Sequence, residues 1–395
     1  MTGEKPTIGI LGAGACGLYT GILLQKRAGA RVIFIGRERL GKILKERGVV
    51  AEEFDGTLDR LEPSEIEYFT TDEIARVPFR DMDFLIVTLK ATQTADAARY
   101  IAPLLIGTNL PIYSLQNGVE NPSILRSLLP ATCPVFGGVF PFNVVPDPED
   151  PIHFRQCTKG VIVVEKSVDG TTERLKAVLE AATLATTISE DIEVDLHGKL
   201  LINLTNALGA LANIPTADLL RDPTIATVYS TCRSEAIAVL QAAGIRTEVA
   251  NGAASAGKST SGSRAVGTLK GGEARPTNKE DEAGATQAAA KLIQISEHSR
   301  TSMFTDFQLR RPSEIRFLNG YIVRLSAMHG VPAPFNVAIT RMVEEVDESV
   351  AKAQGSHVPR TVRAEEVLQA CEKEARKGAR EQVEIAKELV ERWGL

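Results

Sequence analysis

Lys199 and Asn203 stand four residues apart in an aliphatic run with Leu200, Leu201, Ile202 and Leu204. On a helix that spacing places both side chains on one face. A lysine among such neighbours is open to partial burial, which disfavours its charged form and lowers its pKa. A proton donor working near neutral pH needs such a pKa. A snorkelling lysine beside a core asparagine fits the same spacing.

A second pattern concerns backbone rather than side chains. Gly12-Ala13-Gly14-Ala15-Cys16-Gly17 is G-x-G-x-x-G, set between the β-branched run Thr7–Leu11 and an apolar stretch from Leu18 to Ala28. In that strand–turn–helix context the first glycine allows the tight turn. The second leaves room for a pyrophosphate, and the third lets helix and strand pack closely. Free N–H groups of the turn, Ala15 and Cys16 included, then face the phosphates at the positive end of a helix dipole. About twenty residues on, a carboxylate would select NAD through the ribose hydroxyls. This chain has Gly36-Arg37-Glu38-Arg39, with Lys42 close by. A planar guanidinium at Arg37 suits a 2′-phosphate, so NADP(H) is the expected cofactor. Glu38 would restore an acid on a one-residue shift of register, and a solvated loop arginine is the plain alternative.

Three further places carry candidate groups. Lys90 follows the apolar run Asp83–Leu89, and Asn117 sits in Gln116-Asn117-Gly118 after Pro111–Leu115. Ligands of doubly wound sheets bind beyond the carboxyl ends of strands, so both are expected on one rim. A later cluster runs from Ser302-Met303-Phe304-Thr305-Asp306 to Arg311-Pro312-Ser313-Glu314-Ile315. Pro312 and Ser313 there read as helix-start signals, and Glu314 as a simple first-turn acid.

These groups need a scaffold. Thr7–Leu11, Arg31–Ile35, Asp83–Leu89, Pro111–Leu115, Val135–Phe140 and Gly160–Glu165 are continuous apolar runs separated by helical stretches. That alternation predicts a parallel sheet covered on both faces, with Gly160–Glu165 as its last strand. From about Ser189 helical spacing takes over. Val194 to Leu211, Tyr229–Ala243, Ala288–His298, Glu314–His329 and Asn336–Val350 predict an all-α second half. The expected class is therefore an α/β, Rossmann-type doubly wound N-terminal domain (1–189) followed by an all-α domain (190–350). A Gly-, Ser- and Ala-rich insert at about 247–285 reads as a mobile loop. Residues 351–395 read as a linker and one amphipathic helix, Arg363–Leu395, that docks on the body or on a partner such as a second copy.

Composition narrows the class. A formal charge of −5, from 45 basic and 50 acidic side chains, argues against a broad nucleic-acid binder. No long uncharged apolar run exists to span a membrane, and Met1–Pro6 does not read as a signal peptide. Five dispersed cysteines without a CxxC pair point to reduced thiols in a cytoplasm, not to a zinc site.

The glycine motif, the strand-then-Lys90 step and the Gln-Asn-Gly turn resemble the ketopantoate reductase (2-dehydropantoate 2-reductase) family. So do Lys199-Leu-Leu-Ile-Asn203, the stretch SMFTDFQLRRPSEIRFLNG and the later VPAPFN. The resemblance runs in order through roughly residues 7–345, interrupted by the insert. It implies that NADPH delivers hydride to the ketone carbon of a 2-oxo acid, 2-dehydropantoate giving (R)-pantoate. It implies Lys199 as proton donor to the developing alkoxide and Glu314 as a catalytic-site residue that binds or orients the substrate. Asn203, Ser302 and Asn206 would bind or orient substrate, and Lys90 and Asn117 would line the nicotinamide side of the cleft.

Two positions depart from the family pattern. The second asparagine, one helical turn after the first, is Ala207 here, with Asn206 one residue out of step. An asparagine three residues before the serine is replaced by Ser299. Both positions hold the substrate's polar tail in the family. The alternatives are a related dehydrogenase acting on another 2-oxo or 2-hydroxy acid, and an NADP-binding sensor without catalysis.

Overall fold

The computed structural model describes residues 5–247, 299–352 and 361–394. Apart from Thr247, the expected insert lies outside the described residues. So do the helix expected over Ala288–His298 and residues 353–360 of the linker.

Strand β1 (Thr7–Leu11) is buried along its whole length. Helix α1 (Ala15–Lys26) runs back over the sheet, and β2 (Arg31–Gly36) pairs parallel to β1 with Ile10 opposite Phe34. After α2 (Glu38–Arg47) come β3 (Val49–Glu52), β4 (Leu58–Leu61) and β5 (Glu67–Thr70). Next are β6 (Phe84–Val87), α3 (Thr94–Ile101), β7 (Ile112–Ser114), α4 (Asn121–Leu128) and β8 (Val135–Val139). The sheet region ends with β9 (Val144–Pro146), β10 (His153–Gln156), β11 (Ile162–Glu165), α5 (Thr171–Ala181) and β12 (Thr186–Ser189).

Eight strands form one sheet in the order β12-β11-β8-β7-β6-β1-β2-β5. Its neighbours are parallel except for β8 and β11. Alternate side chains feed two cores, as a doubly covered sheet requires. Ile10, Phe34 and Ile86 pack with Leu18 and Leu23 of α1 on one face. Leu11, Ile35 and Val87 pack with Ile101 of α3 and Leu125 of α4 on the other. The order sets the carboxyl ends of β6, β1 and β2 side by side, about 4.8 Å apart.

The sheet corrects two expectations. Gly160–Glu165 does not close it: β12 adds a further strand parallel to β11, Ile162 facing Thr186. Thr186–Ser189, Thr-Thr-Ile-Ser, is short and mostly polar, so it carries no continuous apolar signal. A second sheet, β4-β3-β10-β9, was also not expected. Its strands are three or four residues long and bury Val49, Ala51, Leu61, Val144 and Phe154 against α1. Strands that short take their shape from what they pack on more than from propensity.

The remaining described elements are helical: α6 (Ile192–Asn203), α7 (Thr205–Ala212), α8 (Pro223–Ala242), α9 (Ser302–Gln308), α10 (Asn319–His329), α11 (Pro334–Lys352), α12 (Ala364–Ala375) and α13 (Ala379–Arg392). The apolar period from Val194 to Leu211 is divided at Leu204 between α6 and α7. Pro312 and Ser313 do not start a helix. Ile315–Phe317 is a 3-10 turn and α10 begins only at Asn319. The Ser313 hydroxyl instead donates to Asp347 at 2.6 Å, which pins the segment to α11. The single C-terminal helix expected over Arg363–Leu395 is two helices that dock on the chain's own body. Val367 and Cys371 enter the main helical core. Ile385, Ala386 and Leu389 pack on Val323 and Val337, and the Trp393 indole N–H donates to Glu344 at 2.7 Å. Among the described residues no helix is long and apolar enough to cross a membrane.

Candidate active site

The glycine-rich turn shows what each glycine is for. Gly12 has φ +108°, and a Cβ there would lie 2.7 Å from the Leu89 backbone nitrogen. A Cβ on Gly17 would lie 2.4 Å from the Gly12 carbonyl oxygen and 2.6 Å from the Thr88 hydroxyl. Gly14 differs: its Cβ would meet only the Gly12 carbonyl, at 4.0 Å, so it faces open space. Gly14 caps α1, whose first internal bond runs from Leu18 N–H to the Gly14 carbonyl. The N–H groups of Ala15, Cys16 and Gly17 therefore have no partner within the helix. A pyrophosphate fits this cradle: the open side of Gly14 gives it room, and three free donors with the helix dipole hold it. The pyrophosphate of a dinucleotide is the group these residues fit.

Beyond β6, the Thr88 N–H still donates to the Leu11 carbonyl of β1 at 2.9 Å, and Lys90, two residues on, reaches toward the helical half. Its Nζ donates to Asp306 at 2.8 Å and to Glu314 at 3.1 Å, and the Ala91 N–H donates to Glu314 at 2.8 Å. Both carboxylates are buried. Burial opposes the charge on Lys90, but Glu314 and Asp306 outweigh it and raise its pKa well above the usual lysine value. Asp306 is pushed up to about 6 by its own burial, against the pull of Lys90. Lys90 is thus a fixed cation on a carboxylate wall.

Lys199, half-buried on α6, has a different environment. Burial lowers its pKa, and no carboxylate acts on it; the nearby Cys16 thiol offsets only part of the effect. Cys16 itself is raised to about 11 by burial, and it senses Lys90, Glu314 and Lys199 together. That thiol belongs to the glycine-rich turn, so both lysines face the first turn of α1. Asn203, the last residue of α6, is buried, and its side-chain amide donates to the Asn117 side-chain oxygen at 3.3 Å. The Asn117 turn is held by Asn121, which donates to its carbonyl at 2.7 Å. Among the described residues no three His, Cys, Asp or Glu side chains gather to hold a metal ion.

The family model for ketopantoate reductase PanE/ApbA matches residues 8–168, and the model for its C-terminal part matches 191–348. The chain belongs to the ketopantoate reductase family. A 2-dehydropantoate 2-reductase from Archaeoglobus fulgidus is 25% identical over 345 residues, 86% of this chain and 98% of that one. One from Escherichia coli O157:H7 is 25% identical over 281 residues, 70% of this chain and 78% of that one. The crystal structure of a PanE/ApbA family ketopantoate reductase from Ralstonia eutropha JMP134 superposes with a TM-score of 0.67 at 26% identity, covering 87% of this chain and 99% of that one. D-mandelate dehydrogenase, solved with NADH and anilino(oxo)acetate, shares the fold at a TM-score of 0.68 and 20% identity, covering 87% and 99%. As a ketopantoate reductase family member the chain is a nicotinamide-dependent oxidoreductase acting on a CH–OH group. Residues 361–394 lie beyond the family match.

Within this ketopantoate reductase framework the candidate residues fall into groups. Gly12, Gly14, Ala15, Cys16, Gly17, Lys90, Lys199 and Glu314 come together around the turn. Asn117 and Asn203 form a pair beside Lys199. Ser302 begins α9 and Asn206 lies in α7, and both are half-buried. No side-chain bond joins either to the lysines; the Asn206 carbonyl accepts from Thr301 at 3.0 Å. Arg37 is exposed as the N-cap of α2, and its carbonyl accepts from the Tyr68 hydroxyl at 2.9 Å. Asp306 was not singled out as a site residue on sequence. Its only signal is its place in SMFTD, eight residues before Glu314, because its partner Lys90 lies 216 residues away.

Proposed function

We infer that the chain reduces the keto group of a 2-oxo acid with NADPH, Lys199 acting as proton donor. The observation that carries this reading is the lysine pair at the glycine-rich turn: one held charged by two carboxylates, the other stripped of carboxylates and lowered by burial. NADPH, when bound, supplies the hydride. Its arrival at the ketone carbon leaves an oxyanion, which needs both a stabilising charge and a proton. Lys199 provides both, the more readily because its pKa is depressed toward the working range. Asn203 and Asn117, joined through their amides, set the side of the pocket next to that ammonium. Glu314 fixes the Ala91 backbone and Lys90, so it holds the two halves in register and presents a carboxylate edge to the substrate. Ser302 and Asn206 line the helical side. Arg37, exposed where β2 ends, favours the 2′-phosphate of NADPH over a ribose diol.

2-Dehydropantoate is the leading substrate. A second acid is favoured by the two departing positions. Ala207 is fully buried and offers no polar contact. Ser299 is fully buried, and its hydroxyl already accepts from Asn143 at 2.8 Å. Both observations point to a substrate with a less polar tail. The test is a panel of 2-oxo acids with NADPH and with NADH, followed at the nicotinamide absorbance. Turnover of 2-dehydropantoate with NADPH establishes the first reading, and turnover of another acid alone establishes the second. Tight nucleotide binding with no turnover of any acid removes both.

A further inference from the structure

The family match ends at residue 348, yet the last helix of the chain returns to the segment that carries Glu314. Trp393, at the end of α13, donates its indole N–H to Glu344 of α11 at 2.7 Å. The Arg316 Nε donates to the same Glu344 oxygen at 2.8 Å, and its guanidinium lies over the Trp393 ring, 5.3 Å from the centroid. The indole also closes on Gly320 at the start of α10. A Cβ there would lie 3.0 Å from the ring and 3.1 Å from the Ile315 carbonyl oxygen.

Glu314 thus stands between two anchors on one helix. Ser313 donates to Asp347 at 2.6 Å and Arg316 to Glu344 at 2.8 Å. Glu344 and Asp347 are three residues apart, on one face of α11. Between the anchors, the Phe317 N–H closes the turn onto the Glu314 carbonyl at 2.9 Å. The same turn supports the Asn117 side of the site. A Cβ on Gly118 would lie 3.3 Å from the Phe317 carbonyl oxygen. Arg324 donates to the Arg316 carbonyl at 2.9 Å and pairs with Glu120, three residues after Asn117.

The Arg316 anchor is weak by itself. Its side chain is 50% exposed, and an ion pair open to water contributes little and fixes no geometry. Trp393 changes that. It covers one face of the guanidinium, adds a cation–π contact and gives Glu344 a second donor. We propose that Trp393 is a positioning residue: the C-terminal helix braces Arg316 and so holds the Glu314 carboxylate on the Ala91 N–H and Lys90. The effect on turnover rests on the reading of the site as a 2-oxo acid reductase; the effect on Glu314 does not.

The experiment compares Trp393→Ala with Leu389→Ala in the full chain. Leu389 docks the same helix, but on Val323 and Val337. Amide exchange at Ala91 reports whether Glu314 is in place, because that N–H donates to it. Trp393→Ala should speed this exchange by about tenfold through local opening. It should also lower kcat/KM for the 2-oxo acid by about 10–100-fold, the effect of a misplaced site group, with nucleotide affinity held. Leu389→Ala should do neither, even at an equal loss of overall stability. Trp393→Phe, which keeps the ring and loses the N–H donor, should fall between, and is read in place of the alanine variant if that does not fold. Ala91 exchange unchanged in the Trp393 variants overturns the brace. Equal changes in Leu389→Ala mark Trp393 as structural and overturn it too, as does faster Ala91 exchange with unaltered kcat/KM. A native chain that turns over no 2-oxo acid, with Ala91 still loosened by Trp393→Ala alone, removes the reductase reading and leaves the brace standing.

Discussion

Two lysines share one cleft and differ in almost everything that surrounds them. Lys90 stands on a wall of two buried carboxylates and is locked in its charged form. Lys199 stands on an aliphatic helix face with no carboxylate acting on it, and burial weakens its hold on the proton. The side chain is the same; the environment divides the work. Where neighbouring titratable groups are pushed to opposite pKa values, one serves as a fixed charge and the other as acid or base. The carboxylate wall also bridges the sheet and the helices, so the charge that never moves is the one that holds the architecture.

The largest test of that contrast is Lys199→Ala. It should lower kcat by about 10²–10⁴, with nucleotide affinity nearly unchanged by fluorescence titration. Lys199→Arg should be almost as slow, since a guanidinium does not release its proton near neutral pH. A near-normal kcat in both would erase the distinction between the two lysines. Glu314→Ala should act on stability: it leaves the buried Ala91 N–H without an acceptor, at a cost of about 1–3 kcal/mol. Glu314→Gln, which can still accept that bond, should lose less. Urea unfolding of the two variants separates the backbone contact from the charge.

The smallest effect concerns pH. Asp306 titrates at about 6 in the fold against an ordinary value of 3.8. A carboxyl raised in this way contributes stability while neutral. That contribution is complete below about pH 4 and lost as pH climbs through 6. Asp306→Asn, which cannot ionise, should flatten the fall in unfolding free energy between pH 4 and 7. An identical pH profile in the variant would show that Asp306 is ionised throughout, and the carboxylate wall would then need a different electrostatic account.

Legibility followed locality. The glycine-rich turn was readable because all its parts lie within six residues, and its chemistry is backbone chemistry that only glycine permits. Lys199 and Asn203 were readable as a face because a helix repeats every 3.6 residues. Strand β12 and the small sheet were not, because short half-polar strands are shaped by the surface they cover. Pro312 and Ser313 read as a helix start, but the Ser313 hydroxyl found Asp347 in a different helix. The C-terminal stretch was recognisable as amphipathic. Its division into two helices with a turn at Arg376–Gly378 follows from the separate apolar patches each helix meets on the body.

What the sequence alone determined is the doubly covered sheet, the helical second half and the cradle for a pyrophosphate. Apolar period and glycine placement depend on near neighbours in the chain, and near neighbours are written there. Only the folded chain decided that Lys90 meets Asp306 and Glu314 across more than 200 residues. It alone decided that Lys199 meets no carboxylate. Those outcomes depend on distance in space and on the water removed between groups. Coulomb energy and desolvation are properties of a packed volume, and residue order does not contain them.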